Sequence, residues 1–345
     1  MNTDGVSLVI PGRNCEQTVR HCLSAVAPLM DRSRLREILF VDDGSTDRTA
    51  DIVAEFPVTR IPGPGQGPGA ARNLGWRAAQ HPYIWFVDAD CVAEADALDR
   101  LLAHMGDPRV AGVSGSYGIM NPDSLLASLI HEEIVTRHRA MSSEVNFLAT
   151  FNVVYRRAVL EEVGGFNERF LKGQDAELSF RVSAAGYALR FAIDSRVKHF
   201  HETSWLGYLR TQRQQGFWRV PLHLTHRGHA TGDSYSGFVD HIQPPLAMAI
   251  LLSTPLVLLG RLALVPLALT ALLALAQVPM TTRILGRLRR PEYILFGALG
   301  FVRAFWRGVG MTLGLLACTF ARSRVLGSGK APGAPGLDDD AGDCT

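Results

Sequence analysis

Residues 37–52, EILFVDDGSTDRTADI, decide the architecture. The apolar run Ile38–Val41 reads as a strand ending on two carboxylates, Asp42 and Asp43. Gly44-Ser45-Thr46 is the turn, and Thr46 or Asp47 is the expected cap of the helix that follows. Carboxylates at the carboxyl end of a strand lie where open α/β sheets bind ligands, although a plain strand-to-helix turn with a capping Asp has the same composition. The rhythm continues on both sides. VSLVI (6–10) precedes the helical pattern EQTVRHCLSAVAPLM (16–30), and further strands are expected in 83–90, 111–117, 151–157 and 189–194. Short β-rich runs alternating with helical patterns predict βαβ units and a mainly parallel sheet over residues 1–240.

The stretch HPYIWFVDADCVAEADAL (81–98) repeats the arrangement: the run YIWFV ends on Asp88 and Asp90, with Ala89 between them. Residues i and i+2 of an extended backbone face the same way. Two carboxylates so placed can hold one hard divalent cation, Mn²⁺ or Mg²⁺, which in turn can hold a diphosphate and neutralise charge on a departing phosphate.

The chain has 345 residues, 47% apolar and 20% charged, with a net charge of +2, which excludes a wholly disordered protein. Its mean hydropathy of +0.09 is high for a soluble protein and points to membrane segments. Residues 244–260 and 262–280 carry no charge, and only Arg261 separates the two runs; both are long enough to span a bilayer. A third apolar stretch, about 292–321, contains Arg303 and Arg307 on one helical face, so an in-plane amphipathic helix and a third span are both open. Positive charge clusters after the second run, in Arg283, Arg287, Arg289 and Arg290, which suits a cytoplasmic loop at a membrane and not a nucleic-acid groove. Two spans return the chain to its starting side. The expectation is therefore a multi-pass protein of the cell membrane whose residues 1–240 are cytoplasmic. Five scattered Cys without a CxxC pair suit that reducing side, and the N-terminus lacks a signal-peptide pattern. Residues 326–345 are low in complexity and expected to be disordered.

Four segments in order, VSLVIPGRN (6–14), FVDDGSTDRTADI (40–52), GQGPGAARNLGW (65–76) and FVDADC (86–91), resemble the family 2 glycosyltransferases. The likeness covers roughly residues 5–240. It implies a GT-A fold, a Rossmann-like nucleotide-diphospho-sugar transferase domain with a donor half (about 1–115) and an acceptor half (about 116–240). It also implies an inverting, metal-dependent transfer from a nucleotide-diphosphate sugar. Carried over by position, Pro11, Arg13 and Asn14 line the nucleoside pocket, Asp43 contacts base or ribose with Asp42 beside it, and Arg72 lies near the donor phosphates. Asp88 and Asp90 form the metal motif, and Asp88 also borders the nucleotide sugar. In EEVGGFNERFLKGQDAELSF (161–180) the family pattern expects an acidic pair, and this chain has Gln174-Asp175. Asp175 stands where the family's general base stands; a carboxylate can take the acceptor hydroxyl proton. Read without the resemblance, Asp175 is a helix N-cap and Glu177–Arg181 an i,i+4 pair, with Glu177 a weaker alternative base. The family often has a His near SRVKHFHE (195–202), so His201, or His199, is expected at the metal or diphosphate. The basic aromatic stretch 204–220 suggests an interfacial helix and lacks the QxxRW of polymerising synthases. The membrane segments favour a lipid-linked or envelope-glycan acceptor.

Rival chemistries leave weaker marks. Gly65, Gly67 and Ala70 satisfy the dinucleotide fingerprint GxGxxG/A, but the preceding PVTRIPGP makes a poor strand, broken by Pro62 and Pro64. A GT-A-like nucleotidyltransferase would need a basic phosphate loop near the N-terminus, where Arg13 stands alone. A non-catalytic membrane scaffold would not need Asp88, Asp90 and Asp175.

Overall fold

A computed structural model describes residues 5–31, 33–229 and 232–325, with side chains described through residue 320; the low-complexity segment 326–345 lies outside them. The described residues form two compact units.

The first unit comprises residues up to Asp123 together with Arg137–His201. Its strands are β1 (Val6–Gly12), β2 (Leu35–Asp42), β3 (Thr59–Pro62), β4 (Tyr83–Val87), β5 (Cys91–Ala93), β6 (Val110–Ile119), β7 (Glu144–Val145), β8 (Asn152–Arg156) and β9 (Ala188–His199). They form one sheet in the order β3-β2-β1-β4-β8-β6-β9-β5, with β7 paired to β9. Helices α1 (Val19–Val26), α2 (Thr49–Val53), α3 (Pro68–Ala78), α4 (Ala97–Leu102), α6 (Arg157–Val163) and α7 (Gln174–Ala184) cover it, and only the last two residues of α5 (Leu125–His138) belong to this unit.

Strand β1 shows why its sequence is almost continuously apolar. Val6, Leu8 and Ile10 face α1 through Val19, Cys22, Leu23 and Val26, while Val9 faces the other layer with Ala71 and Trp76 of α3. A strand buried on both faces needs no polar alternation.

The expected parallel sheet holds from β3 to β4, where every pairing is parallel. Beyond β4 the sheet is mixed: β8 is antiparallel to both β4 and β6, β6 is parallel to β9, and β5 and β7 are antiparallel to β9. These pairings join strands far apart in sequence, and local composition carries no mark of their direction. PVTRIPGP also departs from its reading: Thr59–Pro62 is a strand, bonded only to β2 at the sheet edge. An edge position tolerates Pro62, whose missing N–H would interrupt a central ladder.

The second unit comprises Ser124–Thr136, most of α5, and the described residues from Glu202 onward. It contains α8 (Trp205–Thr225), α9 (Phe238–Ser253), α10 (Leu264–Leu288) and α11 (Leu295–Val325). Three segments are long and apolar enough to cross a membrane: Phe238–Leu258, Gly260–Leu288 and Pro291–Phe320. They exceed the uncharged runs because helices continue through residues whose side chains find partners. Arg287 in α10 is paired with Glu132 of α5 and donates to Thr136 Oγ1 at 3.1 Å; Arg303 of α11 is paired with buried Glu133. The connection between the first two segments is made of 3-10 turns, Thr254–Leu258 and Gly260–Ala263, consistent with Pro255, which has no N–H to continue a helix.

Helices α8 and α11 meet backbone to backbone. A Cβ on Gly216 would strike the Arg307 carbonyl, one on Gly310 the Arg213 carbonyl, and one on Gly314 would lie 2.6 Å from the Phe217 oxygen. Small residues at such crossings are the usual means of close approach between helices in membranes.

Gly75 plays the same part in the first unit, where a Cβ would collide with Val9 and lie 3.0 Å from a Val41 methyl. Gly75→Val is expected to cost about 1–3 kcal/mol by overpacking. That lowers the melting temperature by roughly 2–4 °C for each kcal/mol. Gly106→Ala, which meets nothing within 4 Å, should leave it unchanged; equal melting of the two variants would refute the packing assignment.

Candidate active site

The carboxyl ends of β1, β2 and β4 carry the polar residues singled out in the sequence. At the end of β2, Asp42 accepts the Ser45 amide at 2.9 Å and two guanidinium N–H groups of Arg60 at 3.0 and 2.7 Å. Burial works against its charge, and the Ser45 and Arg60 donors outweigh it, holding the carboxyl below the ordinary 3.8. Asp43 accepts three amides, from Gly65 at 2.8 Å, Gln66 at 3.2 Å and Gly67 at 2.7 Å. It thereby fastens the glycine-rich loop that leads into α3. Gly65 and Gly67 have φ of 74° and 96°, a left-handed backbone that aims successive amides at one oxygen pair. A dinucleotide fingerprint offers such amides to a pyrophosphate; here Asp43 takes them, and the rival dinucleotide reading loses its cradle.

Pro11 is buried within β1, and Arg13 is exposed just beyond it. Asn14, at φ 50°, joins the ends of β1 and β2: its amide donates to Ser45 Oγ at 3.0 Å and its side-chain oxygen accepts the Thr46 amide at 2.8 Å. The loops after both strands are thus held together as one wall.

At the end of β4, the aspartates part company. Asp88 accepts Arg72 Nη2 at 2.6 Å, and the Arg72 side chain is only 2% exposed. Its Nε and Nη1 are buried without a hydrogen-bond partner, so two donors of a fixed cation remain for a ligand. Asp90 instead faces His199, with Oδ2 and Nε2 3.0 Å apart. His199 Nδ1 lies 3.1 Å from His201 Nδ1. Burial pulls the His199 pKa down, but the Asp90 charge outweighs it and the pKa stands raised. His201 is therefore one imidazole removed from the carboxylate.

Donor atoms of Asp90, Cys91 and His199 all lie within 4.8 Å of one another. Burial pushes the Cys91 thiol well up, so it stays protonated and is a poor ligand. The Asp90 carboxylate and the His199 imidazole offer an oxygen and a nitrogen of the kind that suits Mn²⁺ or Mg²⁺, while Asp88 is turned to Arg72 and stands outside this cluster.

Asp175 opens α7 and accepts the Ala176 amide at 2.8 Å. Burial pushes its carboxyl up from 3.8, and both Arg72 and Asp88 are near enough to bear on its ionisation. Gln174 is buried, with its side-chain oxygen unpartnered. Glu177 is held by Arg181 through two hydrogen bonds of 2.8 and 2.7 Å, so its charge is consumed in an ion pair.

A family sequence model described as glycosyl transferase family 2 matches residues 7–164. Just under half of the chain thus resembles the family 2 glycosyltransferases. A probable glycosyltransferase of Bacillus subtilis, YdaM, is 33% identical over 203 residues, covering 54% of this chain and 48% of that protein. Glycosyltransferase AglE of Haloferax volcanii is 30% identical over 196 residues, covering 55% of this chain and 64% of that protein. The chain therefore spans about half to two thirds of these curated relatives. Among solved structures, the mannosyltransferase PcManGT of Pyrobaculum calidifontis, in complex with GDP-Man and Mn²⁺, shares the fold, with a TM-score of 0.56 at 17% identity. It covers 90% of this chain and 86% of that one. The expected GT-A class holds.

Several residues beside these positions escaped the sequence reading. Arg60 lies on a strand read as broken. Lys172 is near Asp88, Arg72, Asp90 and Asp175, and burial lowers its pKa; its signal was being one of three lysines, three positions before Asp175. Tyr117 stacks on Phe151 with ring centroids 3.5 Å apart and lies 5.0 Å from His199, a contact between distant strands that no local pattern reveals.

Asp43→Ala removes the acceptor of three amides. We expect a loss of about 1–3 kcal/mol of stability, with faster hydrogen exchange confined to Gly65–Gly67 and the start of α3. Unchanged exchange there would show that the loop stands without the carboxylate.

Proposed function

We propose that this protein is an inverting, metal-dependent glycosyltransferase that moves a sugar from a nucleotide-diphosphate donor to an acceptor hydroxyl. The observation that carries this reading is the convergence of Arg72, Asp88 and Asp175 at one pole of the sheet, with two unpartnered Arg72 donors. Pro11, Arg13, Asn14, Asp42 and Asp43 shape the nucleoside wall, Asp42 and Asp43 by fixing its loops. Arg72 meets the diphosphate with its remaining N–H groups, and Lys172 adds positive charge beside it. Asp90 and His199, with the nearby Asp88, would hold a divalent cation, which would supply neutralisation of charge on the departing diphosphate.

Asp175 accepts the proton of the acceptor hydroxyl. That oxygen bonds to the sugar C1 as the bond from C1 to the diphosphate oxygen breaks, so the electron pair leaves on the nucleotide diphosphate and the anomeric configuration inverts. Glu177, neutralised by Arg181, is unsuited to the base role. Asp175→Asn is expected to lower kcat by ~10²–10⁴ while donor binding survives. The wild-type kcat should rise with pH through a pKa above 3.8, because the base works ionised and its folded pKa is raised. Glu177→Gln should instead lower stability first. Near wild-type kcat in Asp175→Asn would move the base elsewhere.

The three apolar segments support a multi-pass membrane protein with the transferase domain and the arginine-rich end of α10 with the two residues after it, Arg283–Arg290, cytoplasmic. Membrane placement favours a lipid-linked or envelope-glycan acceptor. Purified full-length protein in detergent with Mn²⁺ should slowly release nucleotide diphosphate from a suitable donor, and EDTA or Asp90→Ala should stop it. Full activity in EDTA refutes metal dependence; a scaffold or a dehydrogenase would release none.

A further inference from the structure

Three arginines of the second unit lie deep in its helices, and two are matched by carboxylates of α5: Arg287 by Glu132 and Arg303 by Glu133. The third, Arg307 of α11, shares the field of Glu133, which is already paired with Arg303, and its own hydrogen bonds go elsewhere. Its Nε donates to Gln212 Oε1 at 2.8 Å and its Nη2 to Gln215 Oε1 at 2.9 Å, both neutral amides of α8. Arg219, also on α8, is close enough to add its positive charge to that of Arg307, and donates to Ser236 Oγ at 3.2 Å. His241 of α9 senses both arginines. Its ring lies 5.2 Å from that of His223, and its Nε2 is buried without a hydrogen-bond partner. The nearby Asp240 accepts the Gly237 amide at 3.0 Å, capping its own helix.

Arg307 and His241 lie within the apolar segments Pro291–Phe320 and Phe238–Leu258. A cation in such a segment is expensive and calls for a partner of opposite charge. An anion that reaches a half-buried guanidinium among apolar helices arrives on a hydrocarbon chain, and a guanidinium matches a phosphate in geometry as well as charge.

We propose that Arg307, with Arg219 and His241 beside it, binds the phosphate of an anionic lipid. The site rests on reading α9 and α11 as membrane helices and does not require the transferase reading. The lipid is either a bulk phospholipid or a lipid phosphate presented as substrate; the headgroup chemistry is shared.

Native mass spectrometry of the full chain in non-ionic detergent tests this with four probes: phosphatidylglycerol, a polyprenyl phosphate, zwitterionic phosphatidylcholine and inorganic phosphate. Retention of one or both anionic lipids over phosphatidylcholine is expected, with at least a tenfold loss of affinity in Arg307→Gln and a smaller loss in Arg307→Lys. Selectivity for the polyprenyl phosphate identifies a lipid-linked substrate, and equal retention a membrane headgroup; both support the site. Wild-type retention in Arg307→Gln, or inorganic phosphate bound as tightly as the lipids, overturns it. Should Arg307→Gln fail to fold, His241→Phe keeps an aromatic ring there and removes both ring nitrogens: weakened lipid retention is expected, and wild-type retention overturns the site. Donor hydrolysis in the same preparations reports separately on the transferase reading.

Discussion

A carboxylate shielded from water must find donors or counter-charge, and four such groups stand at or just beyond the ends of β2 and β4, the two apolar strands that flank β1. Each is answered from a different part of the chain. Asp42 draws Arg60 from the edge strand, Asp43 draws the amides of the glycine-rich loop, Asp88 draws Arg72 from α3, and Asp90 draws His199 from the end of β9. Left unmatched, any one of these charges would be very costly in so apolar a setting. The demand ties the parallel half of the sheet to the mixed half and arranges the pole of the sheet where a diphosphate would be held.

This also explains what was legible in the sequence. Strand ends with paired aspartates are local features, and EILFVDD and YIWFVDAD carry them plainly. The donors that answer them are of two kinds. Arg72 was reachable through the family resemblance. The Gly65–Gly67 amides were not, because backbone donors have no residue letter and become visible only when φ is known. His199 and His201 were indistinguishable by period, since i and i+2 face one way; the pairing of Cys91 with His199 across β5 and β9 brings the Asp90 neighbourhood to His199 first. The mixed half of the sheet was hidden for the same reason as the Tyr117–Phe151 stack: both depend on pairings between strands far apart in the chain.

The same rule of charge matching governs the helical unit by different means. Its apolar runs were legible from composition alone, yet their arginines were ambiguous, fitting an in-plane helix as well as a span. Glu133 pairs with one of them, Arg303, and the adjacent Glu132 of α5 pairs with Arg287 of α10. Glycines on α8 and α11 bring the helix backbones together, placing Gln212 and Gln215 against Arg307. Amides in place of carboxylates leave the guanidinium positive, which is the difference between a structural arginine and one able to hold an anion.

Asp175 follows from that contrast. A second carboxylate at position 174, buried beside it, would repel it and push its proton affinity higher still. Gln174 has nearly the same shape without the charge. Glu177, one turn away, is neutralised by Arg181. Asp175 therefore stands as the ionisable carboxyl at the start of α7, where the helix N-terminus and Arg72 favour its charged form while burial opposes it. Burial prevails, and a carboxylate with raised proton affinity is a better acceptor for a hydroxyl proton than an exposed one. The substitution of glutamine for the expected acid thus leaves one basic oxygen pair at this helix terminus, within electrostatic reach of Arg72.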